Sequence, residues 1–236
     1  MKKKKTKLPV KAIFISLLCL ATVFSLFYFP FRYLSNSDYF KIKDSVYFSG
    51  QNIFKIDLES QTRRLRRIYP DYKAIVLRRQ LPDGIIVDFI PRQARALLRL
   101  SENFYVDSEG IIFLPLHSRI DSRELPVIIG LNERIPSPRS GAKYNESSLK
   151  AILEFLNSIN NDAELSLMLK ITKINLFDPN DIFLFTDSGC KINLGSTGSL
   201  EKDLSTIQML MEDIRPNMSD IEYIDLRFRE PVVKYK

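Results

Sequence analysis

The feature that most constrains this chain is an uncharged apolar run of twenty residues, Ala12 to Phe31, close to the start of the sequence. At about 1.5 Å of rise per residue, a helix of this length covers the roughly 30 Å hydrocarbon core of a bilayer. Six lysines lie within the eleven residues before the run, and no acidic residue precedes Arg32. The positive-inside rule therefore predicts that the N-terminus lies in the cytoplasm and that the chain beyond about Arg32 is exported.

Two other interpretations of this run compete with a membrane anchor. A cleaved signal peptide has the same basic start, but it has a shorter apolar region and small residues before the cleavage site. Here the run ends in the bulky sequence Phe27-Tyr28-Phe29-Pro30-Phe31. A buried helix of a soluble domain would be less uniformly apolar and would not follow a lysine cluster. We therefore expect an uncleaved single transmembrane helix at residues 12–32 after a basic cytoplasmic tail, residues 1–11.

The charge of the chain argues against nucleic acid as a partner. The N-terminal lysines account for most of the formal net charge of +7, so the exported part is nearly neutral. Within it, Lys55 to Arg99 is basic and Lys150 to Asp225 is rich in acids, which indicates two domains. The arginines between Arg63 and Arg67 fit either a solvated helix face or a patch for an acidic partner or lipid headgroups.

The first exported segments favour a small α/β domain. Alternating apolar residues predict a strand over Tyr39 to Phe48, with Gly50 breaking it. Asp57 should cap a helix that ends near Pro70. Two further strands should form a hairpin around the turn sequence Pro82-Asp83-Gly84. The inward helix positions are expected to be Leu58, Leu65 and Ile68, and the hairpin strands to be Lys73–Arg79 and Ile85–Ile90.

The remaining sequence predicts a larger β-rich domain with two helices. Ser147 or Ser148 should cap the first helix and Ser199 the second, which should stop at Arg215-Pro216. The inward positions of the first helix are expected to be Leu149, Ile152, Leu153, Leu156 and Ile159. Strands are expected at Phe104–Val106, Ile111–Leu114, Lys170–Phe177, Ile182–Thr186, Cys190–Leu194 and Glu222–Arg229.

The order of these segments resembles the FtsQ/DivIB family of bacterial cell-division proteins. The sequences that carry the resemblance are the hairpin AIVLRRQLPDGIIVDFIPRQARALL, the turn FYVDSEGIIF and the late strand YIDLR. The resemblance implies an α+β fold: a single N-terminal transmembrane helix, a small POTRA-like α/β domain at residues 39–95 and a larger mixed β domain with two helices at residues 96–236. Because Gly50 follows the first expected strand at once, the first POTRA helix should be short or missing.

The sequence gives little support for catalysis, metal binding or a disulfide. His117 is the only histidine, so a histidine-dependent triad or a multi-histidine metal site would have to include it. Gly195-Ser196-Thr197-Gly198 lacks the lysine and the spacing of a phosphate-binding loop. Cys19 and Cys190 would lie in different compartments and cannot form a disulfide. We expect no enzyme activity, no cofactor, no metal site and no small-molecule substrate.

By resemblance, the late strand is the expected site of function. The resemblance implies that this strand docks the FtsB/FtsL division proteins. A strand at a sheet edge can pair with a segment of a partner. Alternation would place Ile224, Leu226 and Phe228 on the opposite side from Tyr223, Asp225, Arg227 and Arg229. A plain terminal strand with a surface Asp225–Arg227 pair is the alternative. The expected partner-binding residues are Tyr223, Asp225, Arg227, Phe228 and Arg229.

These expectations combine into a non-catalytic, membrane-anchored scaffold at the division septum of the inner membrane. It would bind other bitopic division proteins through domains on the periplasmic side. The alternative is a POTRA-type chaperone or a secretion and assembly component. The region after the hairpin lacks the repeated alternating segments of about ten residues that an outer-membrane barrel would require.

Overall fold

The computed structural model describes residues 10–43, 45–115, 120–214 and 219–236. The lysines at positions 2–7, His117 and the expected helix stop at Arg215-Pro216 lie outside these residues. The contacts divide the chain into two compact units, Met1–Arg66 with Ile75–Phe89 and Arg67–Ala74 with Ile90–Lys236. The expected α+β class is confirmed, because an N-terminal apolar helix is followed by mixed helices and strands that include one large mixed sheet.

The apolar run forms one continuous helix, α1 (Val10–Asn36), with Pro30 inside it. The most apolar eighteen-residue stretch within Phe14–Asn36 has a mean hydropathy of 2.1, and none of that stretch is buried within the protein. A helix of this length and composition can cross a membrane. The helix continues four residues beyond the expected end at residue 32 and includes the polar residues Ser35 and Asn36.

The end of α1 is held by later residues of the smaller unit. Asn52 Nδ2 donates to the carbonyls of Leu34 and Ser37, each at 3.0 Å, and Lys55 Nζ donates to Asn36 Oδ1 at 2.8 Å. The last carbonyls of a helix have no partner within the helix. The Asn52 amide therefore acts as a C-terminal cap supplied from another part of the chain.

The smaller unit contains α2 (Leu58–Ile68), β1 (Tyr72–Gln80) and β2 (Gly84–Pro91). Asp57 Oδ1 accepts from the amides of Glu59 and Ser60, which confirms the expected cap. Of the expected inward positions, Leu65 is buried, but Ile68 is 49% exposed. The hydrophobic core of this unit consists of Ile42, Phe48, Ile53, Ile56, Leu65, Ile75 and Leu77.

The strand expected over Tyr39 to Phe48 is wrong. Asp38–Phe40 is a short 3-10 helix, Lys41 forms an isolated bridge with Asn52, and the residues from Val46 to Gly50 form a turn. Ile42 and Phe48 are buried although Val46 is 96% exposed. The alternation of apolar residues therefore does not mark one face of a strand. Ile42 and Phe48 are buried separately, before and within a turn.

The larger unit is built on a ten-stranded sheet. The strands lie in the order β12-β11-β10-β9-β8-β6-β3-β4-β5-β7. Parallel pairing joins β3 to β6, β6 to β8 and β10 to β11, and the other pairs are antiparallel. The bounds are β3 (Ala96–Arg99), β4 (Asn103–Val106), β5 (Ile111–Phe113), β6 (Val127–Ile129), β7 (Ala142–Lys143), β8 (Ile171–Asn175), β9 (Ile182–Thr186), β10 (Lys191–Gly195), β11 (Ile221–Asp225) and β12 (Val232–Tyr235).

Three helices accompany this sheet, one more than expected: α3 (Ser147–Asn161), α4 (Ala163–Met168) and α5 (Leu200–Ile214). All five expected inward residues of α3 are buried in the core, together with Ile174, Leu184, Ile192 and Ile224 of the sheet. The cap predicted for α3 was wrong, whereas Ser199 directly precedes α5 as predicted. The N-cap of α3 is Glu146, whose carboxylate accepts from Leu149 N, and the Ser199 hydroxyl donates to Asp203 Oδ2 at 2.8 Å.

A buried ion pair fixes the first turn of the larger unit. Arg92 Nη1 lies 2.6 Å from Asp107 Oδ2, and their side chains are only 11% and 6% exposed. The other carboxylate oxygen of Asp107 accepts from the amides of Glu109 and Ile111, which closes the Asp107–Gly110 turn. Asp107 is therefore a structural residue, and losing its partner would leave a buried charge unpaired.

Candidate functional site

The late strand lies inside the sheet and does not form its edge. The chain leaves β10, crosses through α5 and returns as β11, which pairs parallel to β10 with Ile192 opposite Ile224. It then turns and adds β12 antiparallel to β11. The expected strand Glu222–Arg229 therefore ends at Asp225, and the edge belongs to β12. The expectation failed because a second short strand follows the first.

The five expected site residues are divided between β11 and the turn after it. In β11, Tyr223 is half-buried and Asp225 is buried. Arg227, Phe228 and Arg229 are exposed in the turn that leads to β12. Ile224 and Leu226 are buried as the alternation predicted, but Phe228 is 57% exposed and does not share their side.

Arg227 is already engaged within the chain. Its Nε and Nη2 donate to the two carboxylate oxygens of Asp225 at 3.0 and 2.7 Å, and Nη1 donates to Asp181 Oδ1 at 3.2 Å. These bonds lower the pKa of the Asp225 carboxyl below its usual value and raise the pKa of Arg227. The aliphatic part of the Arg227 side chain packs against Gly195, where a Cβ would lie only 3.1 Å from Arg227 Cγ. The pair lies at the ends of β10 and β11 and stabilises the turn into β12.

The outer side of β12 has unpaired backbone groups. Lys236 N donates to Asp220 O at 2.8 Å, so the amide of Lys236 points toward β11. Because successive residues of a strand direct their amides to opposite sides, the amide of Tyr235 points away from the sheet. β12 is the last strand in the sheet order, and the described residues place no strand beyond it. An extended peptide segment can pair there.

A row of alternating lysine and aromatic residues leads across the sheet to this edge. Pairing aligns Lys173 of β8 with Phe185 of β9, Phe185 with Lys191 of β10, Lys191 with Tyr223 of β11, and Tyr223 with Lys234 of β12. We call these five residues the lysine–aromatic row. Their neighbours along the strands, such as Ile192 and Ile224, are buried under the helices, so the row lies on the opposite side of the sheet.

The lysines of the row lie over aromatic rings. Lys191 Nζ is 3.8 Å from the centroid of the Phe183 ring, and the ammonium groups of Lys173 and Lys234 are 5.4 and 5.7 Å from the rings of Phe185 and Tyr223. Lys234 also pairs with Glu222 at 2.6 Å, which raises the pKa of Lys234. Lys173 and Lys191 form no ion pair with a described residue. The row therefore presents positive charge on a partly apolar surface.

Sequence reasoning missed both β12 and the lysine–aromatic row. The signal for β12 was available, since Pro231 is followed by Val232-Val233-Lys234-Tyr235, a run of good strand formers. The row could not have been found in the same way. Its members come from five strands between residues 173 and 234, and only the pairing register aligns them.

The structure shows no grouped metal ligands. Within residues 10–43, 45–115, 120–214 and 219–236, no three His, Cys, Asp or Glu side chains lie close enough together to hold a metal ion. Burial raises the pKa of the Cys190 thiol to about 11, so this cysteine is protonated at neutral pH. The residues Thr197–Ser199 form a short 3-10 helix before α5, as a strand-to-helix connection requires.

Comparison with known proteins identifies one family. Residues 96–227 match the family model described as cell division protein FtsQ/DivIB, C-terminal. The chain is 26% identical over 189 residues to a cell division protein FtsQ of Geotalea daltonii and 26% identical over 188 residues to one of a Geobacter species. Each match covers 79% of this chain and 66% of the relative. The chain thus spans slightly less than two thirds of the length of these relatives.

The chain is also similar to a solved structure. It is the major extracytoplasmic domain of the trans isomer of the cell division protein DivIB from Geobacillus stearothermophilus. It shares 10% sequence identity and a TM-score of 0.30, and the match covers 53% of this chain and 97% of that domain.

Proposed function

Because this chain belongs to the FtsQ/DivIB family of cell-division proteins, we propose that it is a non-catalytic, membrane-anchored scaffold of the division machinery. Its N-terminus lies in the cytoplasm, and its two exported domains, residues 39–95 and 96–236, act at the division septum. It binds bitopic division proteins of the FtsB/FtsL kind. The observation that carries this proposal is the free edge of β12 beside a cationic surface.

In this proposal, a segment of the partner adds to the sheet as a strand next to β12. Backbone hydrogen bonds to the outward groups of β12 supply affinity, as in other cases of β-augmentation. The lysine–aromatic row lies beside this edge and favours a partner with acidic side chains, because charges of opposite sign steer association and set the register. Tyr223 contributes its ring to that surface, and Phe228 and Arg229 offer contacts from the adjacent turn.

The roles of Asp225 and Arg227 are indirect in this proposal. Their bidentate pair holds the turn between β11 and β12, and so positions the edge. The alternative in which Arg227 binds a partner carboxylate directly would require it to leave Asp225 or Asp181. We therefore assign the direct contacts to β12, Phe228, Arg229 and the row.

The test is co-purification of the full-length chain with a full-length FtsB/FtsL-like partner from membranes that contain both. Tyr235→Pro removes one outward amide and should lower capture by about five- to tenfold, as expected for one lost hydrogen bond in an aligned ladder. Tyr235→Ala removes the ring but keeps the amide, and should retain most of the binding. Equal capture of wild type and Tyr235→Pro would refute strand addition at this edge.

A second pair of variants tests the charge of the surface. Lys191→Glu reverses a charge in the centre of the lysine–aromatic row, whereas Lys202→Glu reverses an exposed charge on α5. We expect only Lys191→Glu to weaken capture, and we expect the effect to shrink as salt is raised. An equal loss in both variants would mean that net charge, and not this surface, governs binding.

A further inference from the structure

The helix α2 carries a cationic surface that the proposed function does not use. Arg63, Arg64, Arg66 and Arg67 are all exposed, and Leu65 between them is the buried residue of the helix. At about 100° of rotation per residue, positions 63 and 67 lie almost opposite Leu65, and positions 64 and 66 flank them. We call these four residues the α2 arginines. They cover the outward side of the helix.

Most of the α2 arginines have no ionic partner within the chain. Arg63 pairs with Glu59, one turn earlier, and both side chains are largely exposed. The other three form no ion pair with any residue that the structure describes. Arg63 and Arg67 are four positions apart, a spacing at which like charges destabilise a helix. An anionic surface outside the chain would offset this repulsion.

The segment between α1 and α2 is fixed at both ends. Asn52 and Lys55 bond to the last residues of α1. Arg79 of β1 donates to the carbonyls of Ile53 and Ile56 at 2.9 and 2.8 Å. Because an extended residue spans at most about 3.6 Å, the first residue of α2, three positions after Lys55, begins within about 11 Å of the Lys55 backbone. The cationic helix is therefore held close to the end of α1.

The end of α1 gives the depth at which α2 begins. Arg32 is the first charged residue after the apolar run, and it lines a hollow of about 530 Å³ together with Phe29, Tyr33, Asn36 and Ser37. Headgroups add about 5 to 7 Å to each side of the hydrocarbon core, and the helix from Arg32 to Asn36 rises about 6 Å through them. Asn36 and the lysine bound to it thus lie at the outer boundary of the headgroups.

From these observations we propose that the α2 arginines rest on anionic phospholipid headgroups of the membrane that α1 crosses. This inference rests on the membrane anchoring in the proposed function. Since α1 tethers α2 beside the bilayer, each contact forms at high effective concentration. Anionic lipids attract basic segments next to a membrane span, and they present negative charge over the whole surface that faces the tethered helix. The contact fixes the orientation of the smaller unit at the membrane.

The experiment uses the full-length chain in nanodiscs of phosphatidylcholine, with or without about 30% phosphatidylglycerol. The chain contains no tryptophan, so Ser60→Trp, on the same side of α2 as Arg63 and Arg64, supplies a single fluorescent reporter. Phosphatidylcholine with a nitroxide on its headgroup serves as the quencher. We expect at least about twofold stronger quenching with phosphatidylglycerol, and loss of the difference at about 1 M salt, where the Debye length falls to about 3 Å. Equal quenching in both membranes would overturn the proposal.

Paired charge variants separate the α2 arginines from the net charge of the chain. Each lost arginine should lower the ratio of membrane-bound to free α2 about fivefold, so Arg64→Gln/Arg66→Gln should lower it about 25-fold. Its quenching should fall to the level seen in phosphatidylcholine alone. Arg99→Gln/Arg139→Gln removes two exposed arginines of the larger unit and should be quenched as the parent chain is. An equal loss in both double variants would contradict a specific surface on α2.

A second readout requires no reporter residue. The full-length wild type, purified from detergent with a mixture of the two lipids, should retain phosphatidylglycerol in excess of the mixture supplied. In Arg64→Gln/Arg66→Gln the retained lipids should match the mixture. Unfolding temperatures of every variant establish that the fold is kept. Retained lipids that match the mixture in both wild type and variant would also overturn the proposal.

Two further outcomes separate this proposal from the scaffold function. Capture of the FtsB/FtsL-like partner in detergent should be the same for wild type and Arg64→Gln/Arg66→Gln. Loss of capture without any effect of phosphatidylglycerol would assign the arginines to an acidic protein and overturn the lipid contact. A chain that does not enter nanodiscs would overturn the membrane anchor and this proposal together. Entry without dependence on phosphatidylglycerol would overturn this proposal alone.

Discussion

Arg227 is the residue whose expected contact and observed contacts differ most. The family resemblance implied that Arg227 contacts a partner, but its guanidinium is bound to Asp225 and Asp181 of the same chain. Replacing Arg227 with Glu would leave the nearly buried Asp225 without its donors and would add a like charge. Loss of partner binding by that variant alone would therefore not identify a contact residue.

A comparison of Arg227→Glu with Phe228→Ala separates the two roles. We expect Arg227→Glu to lower the free energy of unfolding by about 1–3 kcal/mol, because a charged acceptor loses its partner. Phe228 is 57% exposed, so Phe228→Ala should change stability by less than about 0.5 kcal/mol while weakening partner capture. Denaturant unfolding and co-purification measure the two effects. Phe177→Ala, at another exposed phenylalanine, is the control, and capture lowered equally by both alanine variants would contradict a specific contact at Phe228.

Asp203 in α5 gives a prediction about pH. Burial raises the pKa of its carboxyl despite the hydrogen bond from Ser199, so the folded state disfavours the ionised form. The ordinary pKa of an aspartate is about 3.9. Below that value the carboxyl is protonated in both states and the penalty is absent, and above the raised folded-state pKa the penalty is complete. Wild type should therefore lose stability relative to Asp203→Asn as pH rises from about 4 to 7. Unfolding temperatures at both pH values test this, and a constant difference would contradict it.

Among the elements, those with strong periodicity were predicted well. The α3 positions Leu149, Ile152, Leu153, Leu156 and Ile159 are all buried, because a helix of 15 residues repeats its apolar side often enough to be unambiguous. The hairpin β1–β2 was indicated by its Pro-Asp-Gly turn. The segment Tyr39–Phe48 was not a strand, since a run of four apolar positions can also come from a turn anchored at two points.

The candidate site depends on the order and the pairing register of strands, which the sequence alone does not show. The motif around Tyr223 and Asp225 located β11, but whether that strand forms an edge depends on β12, whose four residues are too short for a distinct period. The lysine–aromatic row depends on the register of five strands. Local propensity predicts such elements, and tertiary pairing decides which of their residues meet.

For the whole molecule, the contacts at the end of α1 determine how the candidate membrane span joins the rest of the smaller unit. If the span from Ala12 to Phe31 fills the roughly 30 Å core, the five helical residues that follow rise about 7 Å through the headgroup region. There Asn52 and Lys55 bond to Leu34, Asn36 and Ser37. The candidate membrane span therefore joins the rest of the smaller unit through defined hydrogen bonds and not through a flexible linker.

These contacts predict that the span is replaceable and the junction is not. Exchanging residues 12–31 for an unrelated apolar helix of equal length should leave septal fluorescence of a tagged chain unchanged, because the span itself makes no buried contact within the protein. Inserting ten Gly/Ser residues between Asn36 and Ser37 should lower partner capture by a factor of about two to three, since effective concentration falls with linker length. Asn52→Ala removes the two hydrogen bonds from the Asn52 amide to Leu34 and Ser37 without lengthening the chain. It should lower partner capture by a smaller factor than the insertion does. The opposite result, in which the insertion has no effect and the span exchange abolishes septal localisation, would contradict this prediction. It would mean that the surface of the helix within the membrane determines localisation and also contacts a partner, in addition to β12.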